Sequence, residues 1–143
     1  MTAEIDVVKT ARGWLGTPYL HQSSVKQVGC DCLGLVVGVY QELFDNPKIK
    51  LPPYTANWRD RAYEAELMAI AEDHLSEDTQ ICMEPGRIAL FQMARGYPLK
   101  HCGIITSRDQ FIHAQERIGV AEVPLSDWWH KRVRKTFYFQ ERP

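Results

Sequence analysis

No stretch of the sequence reaches the roughly 18 uncharged residues that a spanning helix requires, so no membrane span is expected. Neither sign of charge dominates. The 17 basic and 18 acidic side chains give no broad basic footprint, and a nucleic-acid partner is not implied. Cysteine is sparse, with four residues at positions 30, 32, 82 and 102. Small secreted scaffolds held by bridges are shorter and richer in cysteine, so free thiols are the expectation. The opening MTAEIDVVKTARGWLG has acids in its first turn and no long apolar core, and no export signal is read in it. What the chain does have is 45% apolar and 24% charged side chains over 143 residues, enough for one domain with a real core.

Helical and extended periods are segregated along the chain. Ile5, Val8, Ala11 and Leu15 recur at helical spacing, and Gly16-Thr17-Pro18 ends the run, which predicts a helix over about 3 to 15. Residues 19 to 29 lack a clear period and read as a loop. From Cys32 to Phe44 the apolar residues surround the axis, as in a helix buried on most sides. After Asn46-Pro47 and Pro52-Pro53, Asn57 is a candidate cap for an amphipathic helix through about Leu75, with Tyr63, Leu67 and Ile70 facing inward. Beyond it, RIALFQM, HCGIITS, QFIHAQ, IGVAEV and RKTFYFQ are short β-branched and aromatic runs. Five strands in a mostly antiparallel sheet, with helices on one side, make the expected class α+β.

The stretch VGCDCLGLVVGVYQELF, residues 28 to 44, concentrates the chemistry. A cysteine in the first turn of a helix meets free backbone N–H groups and the positive end of the helix dipole, both of which favour thiolate. Cys32 is in that place, with Asp31 as N-cap and Gly29 allowing a sharp entry. A thiolate nucleophile needs a base. Of the histidines at 21, 74, 101, 113 and 130, His101 opens one predicted strand and His113 sits in the next. If the intervening hairpin loop is odd in length and centred near Arg108, His113 lies opposite Gly103, on the face of His101 and diagonal to it, so the two imidazoles can meet. One imidazole would then orient another, as nucleophilic catalysis requires.

GTPYLHQSSVKQVGCDCLGLV, then EPGRIALFQ, then HCGIITSRDQFIHA, resemble the NlpC/P60 family of papain-like cysteine peptidases, and within it the phage and tail-associated branch. The resemblance implies Cys32 as nucleophile, His101 as base and His113 as its orienting partner. It also implies that Tyr19 assists the oxyanion, and it puts His21, Gln22, Asp31 and Leu33 at the substrate groove. Leu33 stands where many members have serine, and Pro85-Gly86-Arg87 where the family reads P-G-D. The implied substrate is the stem peptide of bacterial cell wall, commonly cut between γ-D-glutamate and diaminopimelate or lysine. No cofactor or metal is implied. Synthesis in a host cytoplasm and incorporation in a phage or tail-like particle, with other tail proteins as partners, are expected of this branch.

Two other classes compete. A C-x-C zinc site would need Cys30 and Cys32 with His21 or His101, but structural zinc sites use C-x-x-C with a second matching pair. A tail protein that keeps the fold without turnover is the other. Trp128-Trp129 reads as a short helix packed on the sheet, with sugar stacking as the minor alternative. Lys131, Arg132, Arg134 and Lys135 form a basic surface edge.

Overall fold

A computed structural model describes residues 4–45, 49 and 61–140. The expected cap Asn57 and the Pro47 and Pro52-Pro53 connector lie outside the described residues.

The first helix, α1 (Glu4–Arg12), is shorter than its period suggests. The chain leaves helical geometry after Arg12, so Trp14 takes the buried place while Leu15 is 36% exposed. Residues 19 to 30 are not a plain loop. They contain a two-stranded hairpin, β1 (Ser24–Val25) and β2 (Gly29–Cys30), whose short strands carry too little periodicity to be read in advance.

The central helix α2 (Cys32–Phe44) begins where Asp31 caps it and ends at Asp45 in left-handed geometry, φ 48°. Every residue from Cys32 to Tyr40 is buried. Gly34 allows the close approach on one side: a Cβ there would lie 1.8 Å from the Ser23 carbonyl oxygen. The hairpin backbone therefore rests directly on the helix, where the Ser24 hydroxyl donates to the Gly34 carbonyl at 2.6 Å.

The amphipathic helix α3 (Arg61–His74) buries Tyr63, Leu67 and Ala71. Its expected last residue, Leu75, instead opens β3 (Leu75–Glu77). The other strands are β4 (Ile88–Phe91), β5 (His101–Ser107), β6 (Gln110–Gln115), β7 (Gly119–Pro124) and β8 (Val133–Phe139), with the short helix α4 (Asp127–His130) before the last. The sheet thus has six strands rather than five, in the order β3-β8-β4-β5-β6-β7, with every pairing antiparallel. The uncounted strand is β3, held through a distant partner, Leu75 against Phe139.

Alternation sorts the side chains onto two faces. Ile88, Leu90, Cys102, Ile104, Ile112 and Ala114 join α1, α2 and α3 in the larger core. Ala89, Phe91, Ile105 and Phe111 face the other way, with Trp129 of α4 packed against them. His101 and His113 have the parity of this second face.

Candidate active site

Cys32 is placed by its cap. The Asp31 carboxylate accepts from the Gly34 N–H at 2.8 Å and from the Gln22 N–H at 2.7 Å, tying the helix start to the loop that carries Tyr19 and His21. Tyr19 is held alongside through Cys30, whose N–H donates to the Pro18 carbonyl and whose carbonyl accepts from the Leu20 N–H, both at 3.0 Å. From the sheet, the Lys100 carbonyl, one residue before β5, accepts from the Cys32 thiol at 3.4 Å. The nucleophile candidate therefore comes from the helix-covered face and the histidines from the opposite one, and they meet where β5 begins.

The hairpin brings the imidazoles together. Arg108-Asp109 make the turn with Ser107 paired to Gln110, and an irregularity before Ser107 resets the register to Ile105 against Phe111 and Ile104 against Ile112. Continued by one residue, that register sets Gly103 against His113. His101 Nε2 then lies 2.7 Å from His113 Nδ1, with the rings at 83°. Trp129 covers the pair, stacking on His101 at 5.6 Å between centroids and meeting His113 edge to face at 5.2 Å. Phe91 and Phe111 complete this apolar wall.

Electrostatics assign protonation states. The Cys32 thiol is held well below its ordinary value by hydrogen bonding from the adjacent Cys102 thiol, then by the hydrogen bond and charge of His101 and by the Tyr63 hydroxyl, against the opposing effect of burial. Tyr63 Oη stands 3.3 Å from Cys32 Sγ. Burial, then the charge of His101, pushes His113 down to about 3. It is neutral at working pH, so its Nδ1 can accept a hydrogen bond from His101 Nε2. His113 Nε2 is buried and has no hydrogen-bond partner among the described residues. Burial, followed by the charge of Cys32, raises Tyr19 and keeps its hydroxyl a donor. Cys30 is pushed up to about 12, chiefly by burial and then by Asp31, and it stays a thiol.

A cleft of about 320 Å³ opens over these groups, lined by Cys32, Tyr19, His21, His101 and His113 among others. Gln22, Asp31 and Leu33 do not line it. Asp31 is spent on the cap, Gln22 binds that cap through its backbone at φ 59°, and Leu33 turns inward against Val36, Leu67 and Ile88. Among the described residues, no three His, Cys, Asp or Glu side chains are grouped to hold a metal ion. No described helix is long and apolar enough to cross a membrane.

The sequence model of the NlpC/P60 family matches residues 16–137. The chain belongs to the NlpC/P60 family, and so to the cysteine-type peptidases. Among its relatives it is 29% identical to the probable endopeptidase NlpC of Escherichia coli (strain K12) over 121 residues, 84% of this chain and 68% of that protein. It is also 29% identical to the γ-DL-glutamyl hydrolase of Bacillus subtilis (strain 168) over 133 residues, covering 92% of this chain but only 28% of that protein. Solved structures share the fold. The NlpC/P60 domain of the peptidoglycan hydrolase SagA superposes with a TM-score of 0.61 at 18% identity, covering 94% of this chain and 97% of that one. NlpC1 from Trichomonas vaginalis gives 0.62 at 19% identity, covering all of this chain and 46% of that one.

Within this NlpC/P60 site, three residues have roles that the sequence reading did not anticipate. Tyr63 had only an inward-facing place on an amphipathic helix, yet its hydroxyl touches Cys32. Lys100 is 6% exposed, lines the cleft and carries its ammonium 4.9 Å from the Tyr63 ring centroid. Trp129 had a packing role, and what it packs on is the histidine pair. Only Lys100 carried a local signal, as the charge directly before His101.

Proposed function

We propose that this cysteine-type peptidase hydrolyses stem peptides of bacterial peptidoglycan at the bond following γ-D-glutamate, before diaminopimelate or lysine. The reading is carried by one observation: a buried Cys32 thiol at a helix start, with an imidazole beside it that is itself fixed by a second imidazole at 2.7 Å. The names of the relatives, an endopeptidase, a γ-DL-glutamyl hydrolase and a peptidoglycan hydrolase, support the substrate class.

His101 holds the proton taken from Cys32, and the thiolate attacks the peptide carbonyl. Negative charge on the tetrahedral oxygen is met by N–H groups at the start of α2 and by the protonated Tyr19 hydroxyl. His101 then returns the proton to the leaving amine. The thioester is hydrolysed by water with His101 as base. His113 stays neutral and orients His101 throughout. A place in a phage tail or tail-like particle belongs to the same proposal, supported by the His21-Gln22 pair after Tyr19.

Defined muropeptides incubated with the protein, beside a Cys32→Ala control, test this by mass spectrometry of the released amine. Cleavage by the parent alone is expected. Equal cleavage by the control overturns the nucleophile, and no cleavage of γ-D-glutamyl peptides by the parent overturns the substrate.

A further inference from the structure

The site contains a second thiol that peptide hydrolysis does not use. Cys102, the residue after the base, is 3% exposed on the helix-covered face of β5, and its Sγ donates to the Cys32 carbonyl at 3.3 Å. Neither cysteine is in a disulfide. Cys32 also lines the open cleft, whereas Cys102 lies beneath it against Leu33 and Val36 of α2. One sulfur is thus reachable by a small solute and the other waits behind it. A different neighbour, Cys30, is nearer in the chain, but β2 pairs its backbone with Ser24 and burial holds its thiol protonated.

We propose that Cys32 and Cys102 form a modification site for hydroperoxides, in which Cys32 takes the oxygen and Cys102 resolves it to a buried Cys32–Cys102 disulfide. With hydrogen peroxide, the Cys32 thiolate attacks one peroxide oxygen; an S–O bond forms, the O–O bond breaks, and the departing hydroxide takes the proton held on His101 to leave as water. Cys102 then loses its proton and attacks Cys32 Sγ. An S–S bond forms, the S–O bond breaks, and the hydroxide released takes the Cys102 proton as a second water. The two sulfurs together give up two electrons and the peroxide is reduced to two waters.

The order of events follows from the charges. In the resting pair, the hydrogen bond to Cys32, then burial, then the Cys32 charge keep Cys102 protonated. Sulfenic acid at Cys32 carries no such charge, so the restraint on Cys102 relaxes only after the oxygen has been captured. The thiolate needed for peptide attack is the one needed for peroxide attack, so the proposal rests on Cys32 as the nucleophile but on no particular substrate. The disulfide occupies the nucleophile and stops hydrolysis until a thiol reductant restores it.

The test treats the full chain with a few equivalents of hydrogen peroxide, alkylates remaining thiols, and reads intact and tryptic masses. The expected product is lighter by two hydrogens and joins the peptide containing Cys32 to HCGIITSR, residues 101 to 108, and a Cys30→Ser chain gives the same link. Dithiothreitol removes the link and returns whatever peptidase activity the untreated sample had. Cys102→Ser, with no thiol behind the sulfenic acid, is expected to carry Cys32 on to the sulfinic or sulfonic acid with further peroxide, a product dithiothreitol does not reverse. Should the parent give sulfinic or sulfonic Cys32, or a Cys30 link, while Cys102 is still alkylated, the proposal is overturned. Because the link is read as a mass, it stands or falls apart from any failure to cut muropeptides.

Discussion

His113 Nδ1 sits 2.7 Å from His101 Nε2, while the far nitrogen of His113 is buried without a partner among the described residues. A residue with one nitrogen so well satisfied and the other not is held for what it does to its neighbour. His113→Ala is expected to lower kcat/KM by about 10- to 100-fold, the usual effect of removing an orienting partner. His113→Asn, whose amide oxygen can accept the same bond, should lose less. Steady-state kinetics on a γ-D-glutamyl peptide decide this, and a His113→Ala enzyme at full rate would remove the orienting role.

The same burial makes His113 a source of acid sensitivity. Its folded value, about 3, lies below the ordinary 6.5, so below pH 6.5 the unfolded chain binds a proton that the folded chain refuses. Stability from this group is therefore complete above pH 6.5 and falls as pH drops toward 3, by at most about 1.4 kcal/mol per pH unit. Urea unfolding at pH 7 and pH 5 should show a larger loss in the parent than in His113→Asn. Equal losses would mean that His113 protonates freely in the folded state.

Cys32 should react as a thiolate well below the pH at which ordinary thiols do. Cys102, His101 and Tyr63 all hold its charge, so the iodoacetamide rate at Cys32 is expected to stay high on the acid side and to lose that plateau in His101→Ala. Cys30 shares a tryptic peptide with Cys32, so the profile is read in a Cys30→Ser chain; Cys30 itself, pushed up to about 12, stays a thiol. If His101→Ala leaves the profile unchanged, the two groups are not paired.

The parts of this site that were legible in the sequence are the parts fixed by near neighbours. Asp31 and the apolar run after it place Cys32 at a helix start, and the hairpin near Arg108 sets His113 opposite Gly103 as expected, although its turn, Arg108-Asp109, has two residues rather than an odd number. The irregularity before Ser107 preserves that geometry by offsetting the even-length turn. Tyr63 was not legible as a site residue. Helical period says only that it points inward, and which groove α3 enters is decided by contacts 31 residues away in the chain. For the same reason β3 went uncounted: Leu75 continues a helical pattern until Phe139 offers it a strand. Asp31 and Leu33 flank Cys32 in sequence and Gln22 follows His21, but helix geometry and capping turn all three away from the cleft.

Tyr63→Phe removes the hydroxyl that meets Cys32. The ring beneath the Lys100 ammonium is kept, and the hydroxyl 3.3 Å from Cys32 Sγ is lost. A hydrogen bond to a charged group contributes about 1.5–3 kcal/mol, so the thiolate should become harder to form and kcat/KM should fall by about 10-fold or more. The alkylation profile of Cys32 should move toward higher pH in parallel. A fall in rate without that movement would assign Tyr63 to substrate contact instead.

Gly34→Ala probes the seat of the nucleophile without touching the chemistry. Its new Cβ would fall 1.8 Å from the Ser23 carbonyl oxygen and 3.0 Å from Asp31 Oδ1. The first obstacle is backbone, so the hairpin must lift from α2, and the cap bonds from Asp31 to the Gly34 and Gln22 N–H groups shift with it. Overpacking of this kind costs about 1–3 kcal/mol, and a lost cap adds about 1 kcal/mol. Denaturant unfolding should show a loss in that range. Because Tyr19 and Cys32 hang from the two sides of the displaced contact, activity should fall further than the folded fraction does. A variant that keeps both its stability and its rate would mean that the hairpin is not what positions the thiol.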